Sequence, residues 1–180
     1  MSVAPEFSRL VLAGGLPARG REVSISANEA ECRALARRFA IPAIVSLAAS
    51  VRLVPRADGR VEACGQLRAR VVQVCVVALE PFAQEVLAPL AVTFVPRALV
   101  ADEAHGGIDA EAADEEAYDG DRFDLGEVVA QSLSLALDPW PRNPDSRVAQ
   151  AEPGDRAAAP APGAPALPAG PFAALAKRRH

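Results

Sequence analysis

The strongest regularity in the chain is an alternation of apolar and polar positions over residues 44–71. In "IVSLAASVRLV" the odd positions Val45, Leu47, Ala49, Val51 and Leu53 are apolar. In "RVEACGQLRARV" the odd positions Val61, Ala63, Leu67, Ala69 and Val71 are apolar, with Gly65 between them. Side chains of a strand alternate between two faces, so each run predicts a strand with one buried face. The intervening "RADGR" predicts a hairpin. Parity sets its register: both inward sets are odd, so paired residue numbers must sum to an even number. A two-residue Asp58-Gly59 loop would give odd sums. A three-residue loop, Ala57-Asp58-Gly59, pairs Arg56 with Arg60 and places Gly59 at the left-handed position of a turn plus bulge. This register also sets Arg52 opposite Cys64.

Other runs follow the same logic. "FSRLVLAGG" (7–15) reads as a short strand ending at a Gly-Gly turn, and "REVSISA" (21–27) as a second strand with Val23 and Ile25 on one face. In "NEAECRALARRFAI", Cys32, Leu35, Ala36 and Phe39 recur at helical spacing behind an Asn28/Glu31 capping box. Pro42 marks where that helix has ended. "VVQVCVVAL" (71–79) drops the alternation, which predicts either a strand buried on both faces or a bulged one. "EPF" (80–82) is expected to turn the chain. "QEVLAPLAVTFV" alternates again through Val86, Ala88, Leu90, Val92 and Phe94, with Pro89 indicating an edge or a bulge. The runs predict an antiparallel meander, because no helix-length crossover separates them. Residues 97–121 are acidic and poor in large apolar groups, and are expected to form a long loop. "DLGEVVAQSLSLALD" predicts a helix with Asp124 and Glu127 at capping-box spacing and Leu125, Val129, Leu133 and Leu137 on one face.

The expected fold class is α+β: an antiparallel β-sheet, a meander able to curl toward a barrel, with two main helices and a disordered C-terminal tail. Residues 1–146 form the single α+β domain, 147–169 an Ala/Pro/Gly linker, and 170–180 a short basic amphipathic motif.

Composition narrows the function classes. Of 180 residues, 51% are hydrophobic but only 4% aromatic, so the core must be built from Val, Leu and Ala. Cys32, Cys64 and Cys75 are odd in number and widely spaced, which suits a reduced, cytoplasmic setting better than a disulfide scaffold. No apolar run approaches a membrane helix, and Glu6 and Arg9 interrupt the stretch a signal peptide needs. The only histidines, His105 and His180, lie in the acidic stretch and at the last position, so no hydrolytic triad is expected. "LAGGLPARG" lacks the Lys-Ser/Thr of a phosphate loop, and "DAEAADEEAYDGD" lacks the spacing of a calcium loop. No catalytic residue, metal site, cofactor or small-molecule substrate is expected. Cys64, facing Arg52, is read as an ordinary cysteine on a half-covered face.

Charge is strongly partitioned. Residues 1–100 carry 12 Arg against 8 acids, residues 101–146 carry 2 Arg against 13 acids, and residues 147–180 carry 5 Lys/Arg against 2 acids. The polar face of the hairpin holds Arg52, Arg56, Arg60, Arg68 and Arg70, opposed there only by Glu62. Guanidiniums gathered on one surface are the footprint of phosphate-backbone binding. No aromatic accompanies them, which argues against base stacking on a sheet. In the terminal "GPFAALAKRRH", Phe172, Leu175 and Ala176 share a helical face and Lys177, Arg178 and Arg179 suit its C-terminal end. About ten residues cannot hold a helix alone in water, so this peptide is expected to order on docking.

Three stretches together resemble the YceD-like family, the large ribosomal RNA subunit accumulation proteins. They are "LRARVVQVCVVALEPFAQEV", "YDGDRFDLGEVVAQSLSLALDPWPRNP" and the Pro-Phe-x-x-Leu ending of "GPFAALAKRRH", in that order. The resemblance implies a non-enzymatic factor supporting accumulation of 23S ribosomal RNA, with ribosomal RNA or a pre-ribosomal particle as partner. Arg52, Arg56, Arg60, Arg68, Arg70, Lys177, Arg178 and Arg179 are then the candidate RNA contacts, and Phe172 and Leu175 the candidate docking residues. A second reading is an adaptor that holds a ribosome-associated protein, such as a ribosomal protein, through the acidic loop and the C-terminal peptide. Relatives often carry Cys-x-x-Cys at the turn, which would suit zinc. Here Cys75 matches the first position but Ala78 occupies the second, so Cys75 is expected to be a buried core residue.

Overall fold

The computed structural model describes residues 5–103 and 114–146. The elements, in order, are β1 (Leu10–Leu12), a 3-10 turn (Ala13–Gly15), β2 (Arg21–Ser26), α1 (Glu29–Arg38), β3 (Ala43–Pro55), β4 (Val61–Val74), β5 (Pro81–Pro96), α2 (Arg97–Glu103), β6 (Asp114–Tyr118), β7 (Arg122–Asp124) and α3 (Leu125–Ala136). The α+β class holds. Five strands form one sheet in the order β2-β3-β4-β5-β6, and β1 pairs with β7 in a separate two-stranded sheet. Among the described residues the larger sheet is open, with no barrel closure.

The hairpin register follows parity. Pro55 faces Val61 and Ser46 faces Arg70, all even sums. The Arg56 N–H donates to the Arg60 carbonyl at 2.8 Å, closing a three-residue loop in which Gly59 has φ +90°. Arg52 lies opposite Cys64. At Gly65 an added Cβ would come within 2.1 Å of the Ser50 carbonyl oxygen, so the closest approach of β3 and β4 needs glycine there. The inward odd positions Leu47, Ala49, Val51, Leu53, Val61, Ala63, Leu67, Ala69 and Val71 are all buried.

Parity fails at one predicted position. A bulge between Ile44 and Ser46 shifts the register, burying Ile44 and turning Val45 out to 58% exposure. "VVQVCVVAL" is neither a doubly buried strand nor a bulged one: β4 stops at Val74, and residues 75–80 form a tight turn. The turn closes through Cys75 N–H to Glu80 O and Leu79 N–H to Cys75 O, with Leu79 in the left-handed region. "EPF" is therefore past the turn, and β5 begins at Pro81. The 97–121 stretch is not all loop: α2 opens it, and Asp114–Tyr118 runs parallel to Val92–Pro96, which makes the sheet mixed.

The helices cover the inward face. α1 starts on the Asn28/Glu31 capping box and buries Cys32, Leu35 and Ala36. α3 buries Leu125, Val128, Val129 and Leu133. Its Asp124 cap differs from expectation. The carboxylate accepts from the N–H groups of Gly126, Glu127 and Arg9, while Glu127 turns away to bind Arg38 at 2.6 Å instead of completing a capping box. Arg38 also reaches Glu6 at 3.0 Å, so one guanidinium joins α1, α3 and the N-terminal segment. Phe94 stacks on Phe123 at 4.0 Å between centroids, joining the two sheets.

Candidate nucleic-acid interface

Strand alternation sends the even residues of β3 and β4 to the face opposite the helices. Arg52, Arg68 and Arg70 are all exposed there. Arg68 lies between Ala48 and Leu87, and Arg70 between Ser46 and Glu85. Strand geometry spaces Arg68 and Arg70 roughly 6.7 Å apart, with the Arg52 row about 13 Å from Arg68. The ground between is made largely of small side chains. Ser24, Ser26, Ala48, Ser50 and Gln66 line a shallow groove of about 370 Å³ that Arg68 borders. The Ser24 and Ser50 hydroxyls meet across the strands at 3.4 Å.

The five hairpin arginines divide into two groups. Arg56 grips Glu62 with two N–H donors, one at 2.7 Å from Nε to Oε1. Arg60 donates to Asp58 at 2.6 Å. These contacts hold the Glu62 and Asp58 carboxyls below their ordinary range, through the hydrogen bonds from Arg56 and Arg60 respectively. Arg68 and Arg70 form no salt bridge among the described residues, and Arg52 gives one N–H to the Arg19 carbonyl at 3.0 Å. So the hairpin tip is locally neutralised, whereas the mid-sheet arginines keep their charge open. The face is also less purely basic than the hairpin sequence indicated: β2 sets Glu22 beside Arg52, and β5 sets Glu85 beside Arg70. Lys177, Arg178, Arg179, Phe172 and Leu175 lie outside the described residues.

The 75–80 turn bears on zinc. The Cys75 Sγ accepts the N–H of Ala78 and the N–H of Asn143, each at 3.4 Å. These bonds, Ala78 first, with help from Val77 and Arg142, hold the thiol below its ordinary pKa. Val76 N–H to Pro141 O at 2.9 Å adds a second tie between the turn and the segment after α3. Cys75 is fully buried, as expected from the sequence, and its place is in this turn, outside the main core cluster. Ala78 supplies a backbone donor where a second thiolate would be needed. No group of three or more His, Cys, Asp or Glu side chains able to hold a metal occurs among the described residues. These residues do not fit zinc, which takes about four ligands.

Trp140, which the sequence showed only within "DPWPRNP" after the second main helix, stands out in the structure. It is 72% exposed, in the segment tied to the turn. A lone Trp among prolines, outside any apolar periodicity, was the available signal.

The family described as Large ribosomal RNA subunit accumulation protein YceD matches residues 63–177. The chain belongs to this family. The matched span takes in Arg68, Arg70, the Cys75 turn, α3 and the segment up to Lys177, and begins after Arg52, Arg56 and Arg60. No curated protein and no solved structure matches the chain. No helix among the described residues is long and apolar enough to cross a membrane.

Proposed function

We propose that this chain is a non-enzymatic cytoplasmic factor that supports 23S ribosomal RNA accumulation by binding ribosomal RNA or a pre-ribosomal particle. It does so through the outer face of its sheet, without a small-molecule substrate. The carrying observation is that Arg68 and Arg70, inside the family-matched span, stand exposed on one face without an acidic salt-bridge partner among the described residues. On the β3 side of them the small Ser46, Ala48 and Ser50 leave room for a phosphate backbone to lie close to the sheet, while Leu87 and Glu85 flank them on β5. Arg52 extends the same face. Affinity of this kind comes from counterion release, falls with salt and carries little base specificity.

The test is sedimentation of the full chain with ribosomal particles from cells. Co-migration with large-subunit precursors at low salt and release at high salt is the expected result. Normal large-subunit RNA levels in a deletion strain would sink the proposal.

A further inference from the structure

β5 is 16 residues long, but β6 pairs with only Val92–Pro96. Residues 81–91 carry no strand on that side among the described residues. Pro81 and Pro89 show which backbone groups are free. Both sit in unbroken pairing with β4, opposite Val74 and Gln66, and neither has an N–H to give. Their nitrogens therefore face away from β4. Residues two apart on a strand turn the same way, so the N–H and C=O of Ala83, Glu85 and Leu87 also point outward. The prolines bracket a short pairing site with three outward donors that meet no strand among the described residues.

The flank of this edge is acidic and partly apolar. Val92, Asp114, Glu115, Glu116, Gln131 and Leu135 line a groove of about 300 Å³ between β6 and α3. Asp114, Glu115 and Glu116 are exposed, and Leu135 is 84% exposed. A strand laid along residues 83–90 continues the line of β6 and ends next to Asp114, which pairs with Val92.

We propose that the β5 edge, with the acidic start of β6, is a docking site for an extended peptide rich in Arg or Lys alternating with apolar residues. The peptide adds to the sheet by main-chain hydrogen bonds, and the cations at its end nearest β6 are drawn to the acidic start of that strand, Asp114 first. The site is on the edge of the sheet, so it does not rest on RNA binding by the outer face and stands or falls separately.

The probe is an end-capped peptide of about eight residues alternating Arg and Val, titrated into the full chain, with an equivalent Glu-Val peptide as control. Binding of the Arg-Val peptide should weaken at least about tenfold between low and physiological salt. The Glu-Val peptide should not bind. Amide exchange at Ala83, Glu85 and Leu87 should be fast in the free chain and slow on saturation. Asp114→Asn with Glu115→Gln and Glu116→Gln should weaken binding about tenfold or more. Leu87→Pro removes an outward donor and leaves the β4 pairing intact, so it should cost binding while the far-UV spectrum is unchanged. The proposal is overturned if those amides already exchange slowly in the free chain, because then the chain covers its own edge. Protection mapping to another surface, or a triple variant that binds like the parent, overturns it equally. If Leu87→Pro unfolds the chain, the charge variant and the exchange pattern still decide.

Discussion

The two faces of the β3–β4 hairpin share one backbone and differ by one residue of phase. The inward face carries Val51, Leu53, Leu67 and Val71, all fully buried, and contributes packing. The outward face carries Arg52, Arg68 and Arg70 on a floor of Ser, Ala and Gln, and contributes exposed charge. Neither face can take over the other's role without reversing the parity of the strands. Stability and ligand affinity should therefore respond to opposite sets of substitutions.

The largest break is on the packed side. Leu67→Ala removes a fully buried side chain in mid-sheet and should lower unfolding free energy by about 3 kcal/mol, read by denaturant titration. Next is the cap where β7 meets α3. Asp124→Ala leaves the N–H groups of Gly126, Glu127 and Arg9 without their acceptor and should cost about 1–2 kcal/mol.

Acid should loosen the body at ion pairs away from the RNA face. Arg9, with the Asn28 N–H, holds the Glu31 carboxyl below its ordinary pKa, and a backbone hydrogen bond together with Arg38 does the same for Glu6. A carboxyl depressed by folding stabilises above its unfolded pKa and loses that contribution as pH falls through the folded value. Stability should therefore decline below the ordinary Glu range, and Glu31→Gln should flatten that decline in a pH series of denaturation midpoints. The smallest stability effect belongs to the outward face. Arg68→Ala and Arg70→Ala should each change unfolding free energy by less than about 0.5 kcal/mol, while RNA affinity falls.

The hairpin, both main helices and the shared face of Arg52, Arg68 and Arg70 were legible because a burial period of two or 3.6 is written directly in residue order. The pairing of Arg56 with Glu62 was within reach of the same parity rule, since both are even. Other features depend on partners far along the chain. The bulge at Val45 breaks phase without any Gly or Pro to mark it. β6, "DEEAY", has no apolar alternation; its main chain pairs with β5, and Tyr118 donates to the Gly59 carbonyl at 2.7 Å. β1 finds β7 across more than a hundred residues through pairs such as Val11 with Phe123. The 75–80 turn read as strand because Val76, Val77 and Leu79 are apolar, although all three are exposed. Its closure by backbone donors to Cys75 Sγ has no sequence signature beyond the cysteine itself.

The division among the arginines gives the most direct measurement. Binding of the full chain to large-subunit ribosomal RNA is followed across a salt series for the parent, for Arg52→Ala with Arg68→Ala and Arg70→Ala, and for Arg56→Ala with Arg60→Ala. The mid-sheet triple variant should lose affinity at low salt, and its log–log salt slope should fall by about 2–3 relative to the parent, as expected for three lost phosphate contacts. The hairpin-tip double variant, whose arginines already hold Glu62 and Asp58, should stay close to the parent. A triple variant that binds with the parent's affinity and slope would contradict the assignment of RNA binding to this face.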